Sequence, residues 1–208
     1  MSSYFGSNWS ETLNSSNWNN GWTNFYMNGG NDTVSTPSTG AAYYFSGGAG
    51  DDSFLGDTAH DVAYGGSGND KLNGYSGRDD LWGGTGADKL TGGSGNDTFH
   101  FTMGDSQAHS GQADTITDWN VAHDWIDSTI SGRSNNYAET FSLFTQNIDQ
   151  ARFLVEHNSS LAAEDHVFVY NGTDGYLLSD LNRNGTFETG VILKGAGHAS
   201  DMNWSDIL

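Results

Sequence analysis

The sequence has no cysteine, a single proline and only seven lysine and arginine residues among its 208. Without cysteine it has neither a disulfide framework nor thiol chemistry. The seven basic residues stand against 26 acidic ones, for a formal net charge of -19. Nucleic acid and anionic membranes are bound through basic patches, so this balance argues against both as partners and favours a cation.

Long hydrophobic runs are also missing from the sequence. No window approaches the roughly 20 apolar residues of a membrane-spanning helix. The N-terminal stretch MSSYFGSNWS lacks the basic segment and apolar core of a cleaved secretion signal. If the protein is exported, we therefore expect that it does not use a cleaved N-terminal signal.

The composition combines features of disordered and of folded proteins. Only 35% of the residues are hydrophobic, which with the high net charge is typical of disorder, whereas the 13% aromatic content is not. The 29 glycines add a large entropic cost of ordering. This combination predicts a chain that is disordered without a ligand and folded with one.

Six consecutive nine-residue units share one register between residues 47 and 100: GGAGDDSFL, GDTAHDVAY, GGSGNDKLN, GYSGRDDLW, GGTGADKLT and GGSGNDTFH. The sixth position is always aspartate: Asp52, Asp61, Asp70, Asp79, Asp88 and Asp97. The eighth position is always apolar. A flexible linker does not hold such residues at fixed positions, and a collagen-like chain needs glycine at every third.

The unit itself predicts a structure. Six glycine-rich residues followed by three with an apolar centre predict a tight loop and a very short strand. Two units then complete one coil, so equivalent residues stack at a spacing of 18 rather than 9. Glycine lets successive carbonyls point at one place and aspartate adds charge, which together give the all-oxygen shell that Ca²⁺ prefers.

These units resemble the calcium-binding nonapeptide of RTX (hemolysin-type) proteins, G-G-x-G-x-D-x-U-x, in which U is a large apolar residue. The resemblance implies an all-β fold, a right-handed parallel β-roll with calcium ions between its turns. In the RTX pattern each ion is bound by carbonyls of two loops one coil apart and by both aspartates. Carried over to this sequence, the implied metal ligands are Gly48, Gly50, Asp52, Gly65, Gly66, Ser67, Gly68, Asp70, Gly83, Thr85 and Asp88 on one edge, and Asp61, Tyr75, Gly77, Asp79, Gly92, Ser94 and Asp97 on the other.

The two edges of the roll are expected to differ in calcium affinity. The first edge has complete glycine loops, which predicts sites between Asp52 and Asp70 and between Asp70 and Asp88. The residues that replace glycine on the second edge are Asp57, Ala59 and Tyr75. We therefore expect tighter binding on the first edge and the poorest site between Asp61 and Asp79.

The ninth positions of the second edge are Tyr64, Trp82 and His100, which are expected to stack as an outward-facing aromatic ladder. Lys71 and Lys89 are expected to stack on the other face. An exposed aromatic ladder could bind a polysaccharide or a cell surface. The alternative is that flanking chain covers it.

The flanking segments divide the chain into three parts. Residues 1–46 keep the nine-residue spacing in degenerate form and are predicted to cap the roll, with Trp9, Trp18 and Trp22 contributing to the core; a sugar-binding patch is the alternative. Residues 47–100 form the roll, and residues 101–208 form a C-terminal β region. The segment 99–130 resembles the one that follows the repeats in serralysin-type secreted proteases, RTX lipases and alginate epimerases. That resemblance implies that Asp105 and Asp114 help to bind a final Ca²⁺.

The C-terminal region alternates apolar and polar residues around NG and DG turns, which predicts antiparallel hairpins, and residues 138–157 could hold a short helix. Asp180, Asn182, Asn184 and Gly185 imitate the start of an EF-hand loop, but the twelfth position is Val191 rather than glutamate, which favours a hairpin turn. The terminal WSDIL resembles the uncleaved signal of type I secretion substrates.

The sequence carries no recognisable catalytic set. It has neither the H-E-x-x-H of serralysin-type proteases nor the G-x-S-x-G of lipases. The expected function is a secreted, extracellular calcium-binding RTX module whose calcium-driven folding supports export and stability, with calcium and the type I secretion machinery as partners. The alternatives are an adhesin that uses the aromatic face and the noncatalytic C-terminal part of a secreted protease, lipase or epimerase.

Overall fold

In the computed structural model, the described residues are 2–14, 22–128, 137–143, 145–158 and 160–208. They form nineteen strands and one α-helix, α1 (Ile148–Glu156), with two short 3-10 helices near the C-terminus, Ala199–Asp201 and Trp204–Asp206. No helix of this part of the chain is long and apolar enough to cross a membrane.

Strands are numbered in chain order and belong to three sheets. The first sheet contains, in spatial order, β1 (Ser2–Phe5), β3 (Trp22–Tyr26), β5 (Tyr44–Ala49), β7 (Val62–Ser67), β10 (Asp80–Thr85), β13 (Thr98–Phe101) and β15 (Trp125–Ser128). The second contains β16 (Tyr137–Phe141), β17 (His166–Tyr170), β18 (Asp174–Ser179), β19 (Thr189–Lys194), β14 (Asp114–Ile116), β11 (Lys89–Thr91), β8 (Lys71–Asn73), β6 (Ser53–Leu55), β4 (Thr33–Ser35) and β2 (Thr12–Leu13). The third pairs β9 (Ser76–Gly77) with β12 (Ser94–Gly95).

The strands of the repeat region pair in parallel at the predicted spacing. In the first sheet Leu81 pairs with Ala63 and with Phe99, and in the second Leu72 pairs with Leu90, each step being 18 residues. The chain therefore alternates between two sheets and completes one coil every two units. This confirms the parallel β-roll.

The interior between the two sheets is filled by the eighth-position side chains. None of them is more than 1% exposed: Phe54, Ala63, Leu72, Leu81, Leu90 and Phe99. Phe45 stacks on Phe54 with ring centroids 5.1 Å apart. The eighth residue of each nine-residue unit lies on the inner side of a short strand. One apolar residue per unit is therefore enough for a continuous core.

The C-terminal region continues the second sheet. β17, β18 and β19 pair antiparallel, as the alternating pattern predicted, and β19 joins the roll by pairing with β14 in parallel. β16 adds to β17 in parallel. Helix α1 begins at the capping residue Asn147 and buries Ile148, Ala151 and Val155. Its apolar face covers a second, smaller core beside the roll.

Residues upstream of position 47 add strands to both sheets of the roll, through β1 and β3 in the first and β2 and β4 in the second. Trp9 is 81% exposed, so the prediction that it contributes to the core is wrong. The core there is supplied by Phe25, Met27 and Val34, which are fully buried. Trp18 and the side chain of Trp22 lie outside the described residues. The division into three segments stays a prediction.

Candidate metal centres

All six sixth-position aspartates are buried, although aspartate is among the residues least often found inside proteins. Asp52, Asp70 and Asp88 stack on one edge of the roll and Asp61, Asp79 and Asp97 on the other, all at most 2% exposed. We call these stacks the first and the second ladder. Strand pairing at a spacing of 18 places each aspartate beside the next one of its ladder.

In each ladder, the backbone N–H of one aspartate donates a hydrogen bond to Oδ1 of the next aspartate. The backbone N–H of Asp52 donates to Asp70 Oδ1, and that of Asp70 to Asp88 Oδ1, both at 2.7 Å. In the second ladder Asp61 donates to Asp79 at 2.7 Å and Asp79 to Asp97 at 2.9 Å in the same way. These bonds fix each carboxylate in one orientation.

The ladders are longer than the repeats. The N–H of Asp32 donates to Asp52 Oδ1 at 2.7 Å and that of Asp88 to Asp114 Oδ1 at 2.8 Å, which extends the first ladder at both ends. The N–H of Asp97 donates to Asp124 Oδ1 at 3.2 Å. Sequence reasoning did not assign Asp32 or Asp124 to a site. Asp32 lies in MNGGNDTVS, which keeps part of the unit, whereas Asp124 follows no glycine loop and gave no such signal.

The second carboxylate oxygen decides whether a ladder aspartate needs a cation. Within the part of the chain that the structure describes, Oδ2 is shielded from solvent and has no hydrogen-bond partner in Asp32, Asp52, Asp70, Asp79, Asp88, Asp97 and Asp114. A buried, unpaired carboxylate oxygen is costly because it has lost its water without replacement. An oxygen-seeking cation such as Ca²⁺ fits these atoms.

Asp61 differs from the other ladder aspartates. Its Oδ1 accepts from the N–H of Tyr43 at 2.8 Å and its Oδ2 from that of Asp57 at 2.9 Å. Asp57 itself is 2% exposed, and its carboxylate accepts from the N–H groups of Thr39 and Gly40 at 2.9 and 2.8 Å. The chain thus satisfies both carboxylates by itself, at the place where the sequence departs from the glycine pattern.

Glycine is required where the loops approach the carboxylates and the neighbouring coil. A Cβ at Gly65 would lie 2.2 Å from Asp70 Oδ2. A Cβ at Gly68, where φ is +130°, would lie 2.1 Å from the carbonyl oxygen of Gly50. Both distances are far below van der Waals contact, so a side chain at position 65 would displace the Asp70 carboxylate and one at position 68 would push two coils apart.

The structure places the implied carbonyl ligands in two loop stacks. Those of the first edge lie in or just after β5, β7 and β10: Gly48, Gly50, Gly65, Gly66, Ser67, Gly68, Gly83 and Thr85. Those of the second edge lie in or beside β9 and β12: Tyr75, Gly77, Gly92 and Ser94. Tyr75 adopts a φ of +76°, which is unfavourable for a residue with a side chain.

Burial raises the pKa of the ladder carboxyls. The pKa of Asp70 rises to about 7, mainly through loss of solvent and further through the charges of Asp88 and Asp52, against which the backbone hydrogen bond acts. For the same main reason the pKa reaches about 8 in Asp79 and Asp114. Carboxyls of this kind are hard to keep ionised near neutral pH without a positive charge beside them.

Asp105 lies off the ladders. Its Oδ2 accepts from the N–H and the hydroxyl of Thr102, both at 2.8 Å. Its charge contributes to the raised pKa of Asp88 and Asp114, after the larger effect of their burial, so it lies within electrostatic reach of both. Across the described ranges, no three histidine, aspartate or glutamate side chains converge as a metal cluster. A cation in the ladders therefore requires loop carbonyls as well as carboxylates.

The outer face of the first sheet carries the expected aromatic ladder. The ring centroids of Tyr64 and Trp82 are 4.3 Å apart, and those of Trp82 and His100 are 3.6 Å apart with planes only 5° from parallel. Tyr44 and Tyr26 continue the row upstream. Because Tyr64 and His100 cover the two faces of the Trp82 ring, a sugar would meet its edge and not the face on which sugars stack.

Replacing Trp82 tests the structural role of this row. Trp82→Ala removes two stacking contacts, those with Tyr64 and His100, and we expect it to lower the free energy of unfolding by about 2 kcal/mol. Trp82→Tyr keeps a ring between Tyr64 and His100 and serves as the matched control, with a smaller loss. Urea unfolding in calcium measures both variants. Equal stability of Trp82→Ala and the parent would show that the stacking contributes nothing.

Comparison with known proteins identifies relatives of this architecture. The family described as "Peptidase M10 serralysin C terminal" matches residues 41–169. The chain is similar to the solution structure of the AlgE6R3 subunit from the Azotobacter vinelandii mannuronan C5-epimerase, with 27% identity and a TM-score of 0.53 over 84% of this chain and 82% of that one. The AlgE6R2 subunit of the same enzyme matches with 28% identity and a TM-score of 0.44 over 75% and 89%. A search of curated proteins finds no match.

Proposed function

This chain belongs to the serralysin C-terminal family of RTX-type calcium-binding β-rolls, and we propose that it folds on binding calcium outside the cell and thereby supports export and extracellular stability. The observation that carries the proposal is the set of buried Oδ2 atoms without a hydrogen-bond partner in the described residues. They occur along two ladders, beside glycine-rich loops.

The proposed ligands are the carboxylates of Asp52, Asp70 and Asp88 in the first ladder and of Asp79 and Asp97 in the second, with carbonyls of the adjoining loops. Bound calcium would supply the positive charge that these carboxylates lack. The chain does the positioning: the Oδ1 bonds hold each carboxylate in place, and the glycines bring the loops close. Asp114 would end the first ladder, with Asp105 nearby. Asp61 is not among the proposed ligands, because both of its carboxylate oxygens already accept hydrogen bonds from backbone N–H groups.

The fold depends on this compensation because the ladders concentrate like charge. Without a cation, the buried carboxylates either repel one another or must take up protons, and both oppose stacking of the coils. Calcium is scarce inside cells, so the chain is proposed to stay unfolded there and to pass through a type I export channel as an extended polymer. Outside, calcium binding and folding occur together.

The C-terminal WSDIL motif fits this order of events. In the folded protein Ile207 is 2% exposed, and the N–H of Leu208 donates to the carbonyl of Ile126 in β15 at 2.7 Å. A secretion machinery that reads these residues would have to read them before the roll forms. We propose that recognition of the signal therefore precedes folding.

Two substitutions test the ligand assignment. Asp70 lies between Asp52 and Asp88 in the first ladder and would be a ligand in the site on either side. Asp70→Asn is therefore expected to bind about two fewer calcium ions per chain at saturation. Asp61→Asn is the matched control, because both oxygens of Asp61 are already bound to N–H groups. It should lose about 1–3 kcal/mol of stability through a lost hydrogen bond but keep its calcium.

The measurement is equilibrium dialysis against about 10 mM calcium, well above the ~10⁻³ M dissociation constants of weak extracellular sites, with metal determined by atomic emission. Unchanged stoichiometry in Asp70→Asn, or the same loss in both variants, would contradict the assignment of the unpaired Oδ2 atoms as ligands.

A further inference from the structure

The end of the roll formed by residues 2–14 differs from the rest of the surface, and we call these residues the terminal coil. Its strands β1 and β2 are the last strands of the first and the second sheet in the described part of the chain. At the opposite end the C-terminal region continues both sheets, since β19 pairs with β14 and Ile207 with Ile126 of β15. We propose that the terminal coil is the interface through which two copies of this chain associate.

The terminal coil lies in the part of the sequence with the least charge. Residues 1–50 contain only two charged side chains, Glu11 and Asp32, although the chain has 26 acidic and seven basic residues. Asp32 is fully buried, and the Glu11 carboxylate accepts from the hydroxyls of Ser7 at 2.8 Å and Tyr4 at 3.2 Å. The exposed residues of the terminal coil are all uncharged: Ser3, Phe5, Ser7, Asn8, Trp9, Ser10, Thr12 and Asn14.

Two of these exposed residues are large aromatic side chains. Phe5 is 71% and Trp9 81% exposed. Phe5 stacks on Tyr26 with ring centroids 5.2 Å apart and planes 12° from parallel, so it ends the aromatic row of the first sheet and turns its other face outward. Terminal repeats of soluble proteins normally have a polar outer face, and edge strands normally carry lysine, proline or charge. The strands SSYF and TL carry none of these, which is typical of an interface.

Charge favours a second copy as the partner. With a formal net charge of -19, most approaches of two copies bring like charges together. Approach through the two terminal coils is the exception, because it joins uncharged surfaces and keeps the acidic parts of both copies apart. A basic partner would instead be drawn to the acidic remainder of the surface. Contact between identical patches gives a closed two-fold dimer and not a filament.

The exposed rings set the expected strength of association. A buried aromatic side chain contributes about 150–250 Å², so Phe5 and Trp9 of two copies would together bury roughly 500–800 Å² of exposed ring. Flanking serine and asparagine side chains add to this area, which places the interface near the lower end of the standard size, about 1,200 Å². We therefore expect a weak dimer, with a dissociation constant of roughly 10⁻⁵ M.

The test is sedimentation velocity of the full-length chain in saturating calcium, from about 5 to about 500 µM, a range that brackets this constant. The parent is expected to change from monomer to dimer over the range. Added salt should strengthen the dimer, because it screens the repulsion between the acidic parts of the two copies. A dimer held by ion pairs would weaken instead, and that result would place the contact elsewhere on the surface.

Trp9→Glu places like charges on both sides of the proposed contact and should weaken association by at least about tenfold. Phe5→Glu is a second variant and should act in the same way. Phe153→Glu is the matched control, because Phe153 is also exposed, at 64%, but lies on α1. It should dimerise like the parent. Circular dichroism in calcium establishes that the variants fold.

A parent that stays monomeric at the highest concentration would overturn the interface. So would a dimer that Trp9→Glu and Phe5→Glu leave unchanged, or one that Phe153→Glu disrupts equally. A monomeric parent whose tryptophan fluorescence responds to a soluble uncharged glucan, with no response in Trp9→Glu, would assign the terminal coil to a polysaccharide instead.

Discussion

Chelation of calcium with EDTA is expected to abolish the β-sheet circular dichroism of this protein at neutral pH. If each ladder site has a dissociation constant near ~10⁻⁴ M and calcium is ~10⁻³ M, each contributes about 1.4 kcal/mol by mass action. About four sites then contribute roughly 6 kcal/mol, comparable with the whole stability of a typical domain. Removing calcium should therefore unfold most of the chain.

Re-addition experiments supply the control for chelation. Calcium should restore the spectrum, whereas magnesium at the same concentration should not, because Mg²⁺ demands a smaller octahedral shell and gives up its water reluctantly. A native spectrum that persists in EDTA would contradict calcium-driven folding. Full recovery with magnesium would show that charge compensation alone, without a calcium-sized site, is sufficient.

Acidification is expected to stabilise the metal-free roll, the reverse of the usual behaviour of proteins rich in carboxylates. The ladder pKa values are about 6 in Asp52 and Asp88, about 7 in Asp70 and about 8 in Asp79, against 3.8 for a free aspartate. Between pH 4 and these values the folded state binds more protons than the unfolded chain. Lowering the pH through this window therefore favours the folded state, and raising it removes that stability.

Circular dichroism in chelator at pH values from about 8 to about 5 measures this effect. We expect the β-sheet signal that chelation abolishes at neutral pH to return as the pH falls, because each unit by which a folded-state pKa exceeds the unfolded one contributes about 1.4 kcal/mol. With calcium present the trend should reverse, because the ligands must lose their protons to bind it. Metal-free stability that increases with pH would contradict the assignment of these aspartates as buried and uncompensated.

The spacing of 18 and the inward residues could be read from the sequence because they follow from local geometry. A nine-residue unit with a three-residue strand must turn twice per coil, so Leu72 has to lie beside Leu90. The ends of the ladders could not be read this way. Asp124 follows Asp97 by 27 residues, and only the pairing of β13 with β15 brings the two together.

The aromatic side chains on the outer face of the first sheet also combine a feature that the sequence predicts with one that only the structure shows. That Tyr64, Trp82 and His100 stack follows from their common position in the unit. The sequence did not show that His100 lies between two carboxylates, with Nε2 3.2 Å from Asp80 and Nδ1 2.7 Å from Asp127. Asp127 belongs to the segment after the repeats, where the period of nine no longer predicts a neighbour.

The sequence by itself determined the β-roll and the two stacks of aspartates, because both depend on residue type at a fixed local spacing. Only the tertiary structure decided which buried carboxylate oxygens have a hydrogen-bond partner. Asp61 and Asp70 occupy the same position of their units, yet the N–H of Asp57 satisfies Asp61 Oδ2 while Asp70 Oδ2 has no partner among the described residues. The donor to Asp61 Oδ2 lies only four residues away in the same unit, so the sequence contains it, but residue type alone does not fix whether the loop places that N–H against the carboxylate.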